Sequence, residues 1–142
     1  MKENKQMLES ILYTVQYAQA GIRTALDTAM RPGLRKALEA QLRDYNSIES
    51  EAHEIAASRG WEIRDLEPAS RFVTGMYTRL RLSFGNTDSR LAQIMITENT
   101  KGMITNIQQL HQMTMPDIRI ENLSQKLLDS SNVGIRQMQG FL

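Results

Sequence analysis

Cysteine is absent from all 142 residues. Its absence removes disulfides, thiolate metal ligands and thiol nucleophiles together, so a bound metal would depend on oxygen and imidazole donors. Imidazole is scarce as well, with two histidines in the chain. Charge of one sign is not in excess: the formal net charge is +1, which exerts no strong pull toward nucleic acid or anionic lipid. Six arginines lie between Arg59 and Arg90, but Glu62, Asp65, Glu67 and Asp88 are interspersed among them and no nucleic-acid-binding motif accompanies them. No apolar run approaches the roughly 20 residues that span a bilayer. The opening segment MKENKQMLES is polar where a secretory signal would be apolar. The expectation is a soluble intracellular protein, cytoplasmic, with neither a membrane nor a nucleic-acid partner. There is also no strand-period run, no phosphate loop, no Ser-His-Asp order and no nucleophile elbow.

Proline is sparse, and its placement is informative. Pro32, Pro68 and Pro116 all fall between periodic segments, and each can open a helix because a first-turn N–H has no intrahelical partner to lose. From about Glu3 to Ala29, the residues Leu8, Ile11, Val15, Ala18, Ile22, Ala25 and Ala29 recur at spacings of three and four, the seam of a helix packed at a shallow angle. A second helix is predicted from Pro32 to about Arg59, where Gly60 can supply a left-handed stop. A shorter amphipathic segment runs from Pro68 to Phe84. Another long helix is expected from Asp88 to about Met113, with Leu91, Ala92, Met95, Ile96, Met103, Ile107 and Leu110 as its apolar face. A last helix from Pro116 to about Gln139 offers Ile120, Leu123, Leu127, Gly134, Ile135 and Met138. The scattered methionines suit core filling better than a copper site.

This pattern predicts one all-α domain over residues 1–142. The first and last helix pairs have short connections and should form antiparallel hairpins. The long stretch between them can travel most of the bundle's length, which makes the second and third long helices parallel. That arrangement is a ferritin-like four-helix bundle with one long crossover containing an additional short helix. A plain up-down bundle with an extra helix is the competing arrangement.

Glu49 stands out within this scheme. It falls among Leu38, Leu42, Tyr45, Ala52 and Ala56 on the second helix, so its carboxylate is expected to point toward the core, where it needs a partner, a proton or a metal. Ferritin-like di-iron centres use one Glu from each of two helices and a Glu-x-x-His from each of the other two. Here Glu9 and Asp27 lie off the first helix's seam, Glu49 is followed at plus three by Ala52, and His53 is out of phase. Glu98 on the third long helix is followed at plus three by Lys101, and Asp129 points away from the last helix's stripe. The acids are too few and too short of imidazole for a paired-metal site. Glu49, Glu98 and Tyr45 are therefore read as a buried polar core, with Tyr13, Tyr17, Gln41 or Lys101 as hydrogen-bond partners. No cofactor is expected, and Glu49, His53 and Glu98 are the set a metal would use. Two carboxylates buried close together could not both ionise cheaply and would share a proton. His53 and His111 are expected near helix C-termini, where the dipole favours them.

Three segments resemble a known group. Pro32-Gly33-Leu34-Arg35, Ser58-Arg59-Gly60-Trp61 and the apolar run from Ala92 to Ile104 containing Thr100-Lys101-Gly102 are similar to the spore coat protein F family, small ferritin-like proteins of spore-forming Firmicutes. The resemblance covers most of the chain and implies a fold and a spore-associated setting without implying a reaction. The leading expectation is a non-enzymatic bundle with a structural or protein-interaction role, dimerising through Leu12, Tyr17 and Phe141-Leu142. One alternative is a metal-binding protein for iron handling or oxidation that uses Glu49 and Glu98. Another is a helical adaptor docking a peptide helix.

Overall fold

The computed structural model describes residues 2–29, 31–63 and 87–142. These residues form four long helices: α1 (Lys2–Thr28), α2 (Pro32–Arg59), α3 (Thr87–Gln112) and α4 (Ile118–Gln139). The additional short helix expected over Pro68–Phe84 lies outside the described residues.

Helix ends follow local chemistry. Pro32 opens α2, and the backbone N–H preceding it, that of Arg31, donates to the Asp88 carboxylate on α3 at 2.9 Å. At the other end Gly60 takes φ 66°, the left-handed conformation that side chains resist. Its N–H reaches the Ala57 carbonyl and the Trp61 N–H reaches Ala56, a Schellman closure. The start of α4 departs from expectation. Pro116 does not open it; Asp117 is the N-cap, its carboxylate accepting from the N–H of Arg119 at 2.9 Å and of Ile120 at 3.4 Å. A side-chain acceptor for orphan N–H groups determines the boundary here more than the fixed φ of proline does.

Contacts between helix ends fix the directions. Asn4 at the start of α1 donates to the Met115 carbonyl and accepts from the Asp117 N–H, while Arg59 at the end of α2 bonds Asp117. One pole therefore gathers the start of α1, the end of α2, the end of α3 and the start of α4. The opposite pole joins Arg31 to Asp88 and seats the Phe141 ring against Gly33. Helices α2 and α3 accordingly run parallel, and so do α1 and α4. Around the bundle the order is α1, α2, α4, α3, with α1 and α4 also touching across one diagonal.

The core is aliphatic, built from Leu8, Ile11, Leu12, Val15 and Ile22 of α1, Leu34, Leu38 and Ile55 of α2, Leu91 and Met95 of α3, and Ile120, Leu123 and Leu127 of α4. Each such side chain contributes roughly 1.5–3 kcal/mol when fully buried. The expected α3 face needs correction. Its buried stripe runs Asp88, Leu91, Ala92, Met95, Asn99 and Asn106, whereas Met103 is half-buried and Ile107 exposed. Beyond Met95 the stripe keeps its helical period but changes chemistry, so two asparagines face inward and the isoleucine beside them faces out.

Candidate functional site

A band of polar side chains crosses the interior at mid-height. Glu49 is half-buried, not enclosed, and lies on the flank of α2 that faces α1. Gln16 Nε2 donates to its Oε2 and Gln19 Nε2 to its Oε1, both at 3.3 Å. Gln19, itself buried, also donates to Asn46 Oδ1 at 2.8 Å. Two i,i+3 pairs on antiparallel helices thus face one another, Gln16 and Gln19 against Asn46 and Glu49, and neutral amides supply the donors. None of the partners proposed from sequence for Glu49 is among these contacts. The tyrosines and Gln41 sit at other angles around the helices, which leaves the α1 amides in reach.

Tyr45 is buried, as expected, but it faces α4. Its hydroxyl and Ser131 Oγ are 3.4 Å apart, a long contact. Burial pushes the Tyr45 phenol up from its ordinary value, the Ser131 contact lowers it and the nearby Asp44 charge raises it. One turn along α2, Gln41 also faces α4, and its Nε2 donates to Gln137 Oε1 at 3.1 Å. At the α3–α4 seam, Ser124 Oγ donates to Asn106 Oδ1 at 3.0 Å and Asn106 Nδ2 to the Ser124 carbonyl at 3.2 Å.

Glu98 lies elsewhere. It pairs with Lys101 three residues on, at 3.6 Å, and lines a groove of about 340 Å³ between α1 and α3 with Tyr13, Tyr17 and Thr14. Tyr13 and Tyr17 stack there with ring centroids 6.1 Å apart. The expected polar trio is therefore distributed over three interfaces: Glu49 toward α1, Tyr45 toward α4 and Glu98 on the α1–α3 groove. His53 is exposed on α2. Among the described residues no three His, Asp or Glu side chains gather where they could hold a metal ion, so Glu49, His53 and Glu98 do not form a common site.

The sequence reading missed Gln19, Asn99, Asn106, Ser124 and Gln137. The signal existed, since each falls on its helix's inward face at the three-and-four spacing; ranking positions by hydrophobicity passed over them. Leu12 is the clearest correction. Expected on a dimer face, it is 1% exposed within the chain's own core, because it shares α1's buried side with Leu8 and Val15. Tyr17 and Phe141 likewise pack against that core, and of the proposed face Leu142 alone is largely exposed.

No described helix is long and apolar enough to cross a membrane. No family model and no curated protein matches the chain. Among solved structures it is similar to a DUF305 fragment from Deinococcus radiodurans, with a TM-score of 0.75 over 99% of this chain and 95% of that one, at 13% identity. At that identity the likeness establishes a shared all-α four-helix bundle.

Proposed function

We propose that this chain is a non-enzymatic bundle with a structural role, acting through association with protein and first with other copies of itself. The observation that carries the reading is the surroundings of Glu49, whose carboxylate is engaged by the neutral amides of Gln16 and Gln19. That arrangement binds two helices together. The parallel run of α2 and α3 supports a ferritin-like type of bundle. The coat-protein-like segments at both ends of α2 support a spore-associated, intracellular setting.

The surface best suited to association is the α3–α4 connection, where Met115 is 79% and Ile118 74% exposed. Asn4 and Glu3 hold this loop from α1 and Arg59 holds it from α2, so the two apolar side chains are presented on a fixed frame. Light scattering coupled to size exclusion tests the association. The expected result is an oligomer that dissociates in a Met115→Ser/Ile118→Ser variant; a strictly monomeric wild type would overturn self-association. Metal analysis of protein purified without chelator, followed by Fe(II) addition in air, tests the other half. Stoichiometric metal with an oxidation signal would replace this reading with iron handling or oxidation.

A further inference from the structure

Inside the bundle two buried polar atoms have no hydrogen-bond partner among the described residues, Gln41 Oε1 on α2 and Asn99 Nδ2 on α3. Both side chains are buried, at 2% and 5% exposure. They converge on Gly134 of α4: a Cβ placed there would lie 3.1 Å from each of the two atoms. The absent side chain at 134 is what lets α2 and α3, on opposite corners of the bundle, bring polar groups to one point.

From this geometry we infer that Gln41, Asn99 and Gly134 form a binding site for one internal water molecule. The chemistry selects the guest. Gln41 Oε1 is an acceptor, and its amide orientation is set by the Nε2 bond to Gln137 Oε1 at 3.1 Å. Asn99 Nδ2 is a donor. A guest between them must accept one hydrogen bond and donate another, carry no charge and be about the size of one heavy atom, which describes water. The distances permit it. Each atom lies 3.1 Å from the same point, so the two are at most twice that far apart, and a water bonded to both at about 2.9 Å bridges separations up to about 5.8 Å, most of that range. The alternative, two unsatisfied amide groups in the core, is energetically adverse. Tyr45 and Ser131 lie one turn away on the same faces of α2 and α4 and extend the polar column. The bound water thereby adds an interior polar bridge between α2 and α3 to the Arg31–Asp88 contact at the pole.

A crystal structure at a resolution showing ordered solvent tests this directly, together with water-to-amide NOE measurements on the Asn99 side chain. The expected result is a density peak within hydrogen-bond distance of both Gln41 Oε1 and Asn99 Nδ2, and a long-lived water NOE to the Asn99 Nδ2 protons. Asn99 donating straight to Gln41 with no density between them would overturn the inference, as would the absence of the NOE. A second measurement uses Gly134→Ala, whose methyl group would crowd both atoms. The NOE should vanish in this variant. An unchanged NOE in Gly134→Ala would place the water elsewhere and sink the proposal. If Gly134→Ala does not fold, Asn99→Leu serves in its place, with loss of the density peak expected and persistence of the peak counting against the site.

Discussion

Asp117 should be the most informative single position for stability, because it performs two tasks at one pole. Its carboxylate caps α4 through the N–H groups of Arg119 and Ile120, and it receives the Arg59 guanidinium from the end of α2. Removing a carboxylate N-cap costs about 1 kcal/mol, within a range of roughly 0.5–2. For a chain of this size about 1 kcal/mol corresponds to roughly 3 °C in Tm, so Asp117→Ala should melt about 2–6 °C below wild type at pH 7. The hydrogen bond from Arg59 holds the Asp117 carboxyl below its usual value, with the two helix N–H bonds adding to the shift and burial opposing it. A carboxyl whose folded-state pKa is depressed stabilises the fold above its unfolded value, near pH 4, and loses that contribution as pH falls through the folded value. The gap between wild type and Asp117→Ala should therefore be constant from pH 7 to 5 and close at pH below about 4. Asp117→Asn separates the two tasks, since asparagine retains a capping oxygen but no charge; it should lose less than the alanine variant at pH 7. Thermal and urea unfolding across this pH series provide the measurement. An alanine variant as stable as wild type at pH 7, or a gap indifferent to acid, would refute the assignment.

Three further outcomes are expected. Tyr45→Phe should cost about 1 kcal/mol or less at neutral pH, given the long contact to Ser131. Because burial raises the folded-state pKa of Tyr45, the wild type should lose stability as pH rises beyond about 10 while the Phe variant loses less, which alkaline urea titration would reveal. Leu12→Ala should destabilise by about 2–5 kcal/mol without changing the association state, since the side chain is in the core; calorimetry beside light scattering distinguishes this from an interface effect. Glu49→Gln should be tolerated better than Glu49→Leu, which leaves the Gln16 and Gln19 amides without their shared acceptor at a cost of about 1–3 kcal/mol; equal losses in urea unfolding would show that the amide contacts contribute little.

The long helices were legible because apolar residues repeat every three or four positions over 22 to 28 residues, and because Gly60 is a conformational stop that other residues resist. The parallel direction of α2 and α3 was legible too, since short connections force hairpins and a long one permits travel between poles. What could not be read was the sense in which a polar residue on an inward face is used. Glu49 occupies the angular position that the stripe predicts, yet its partners come from α1, and nothing in the spacing of α2 alone identifies which neighbour stands beside that flank. Asn99 and Asn106 illustrate the converse. Helical period places them inward, and Met103 and Ile107 outrank them on hydrophobicity, but a bundle with a polar partner such as Ser124 across the seam accommodates the asparagine at little cost while the isoleucine remains outside.

The distribution of these polar contacts bears on how one arrangement of helices is selected. Aliphatic faces on four amphipathic helices can slide by one turn and still bury similar areas, so hydrophobic contact alone specifies register weakly. Here each seam carries at least one directional contact: Glu49 with Gln16 and Gln19 between α1 and α2, Gln41 with Gln137 between α2 and α4, Asn106 with Ser124 between α3 and α4, and Ser10 with Gln109 between α1 and α3. A one-turn slip of any helix would break the contact on both of its seams and leave buried amides unpaired, at about 1–3 kcal/mol for each group. These directional contacts on all four seams thus favour one register in a bundle that holds none of its helices by disulfide.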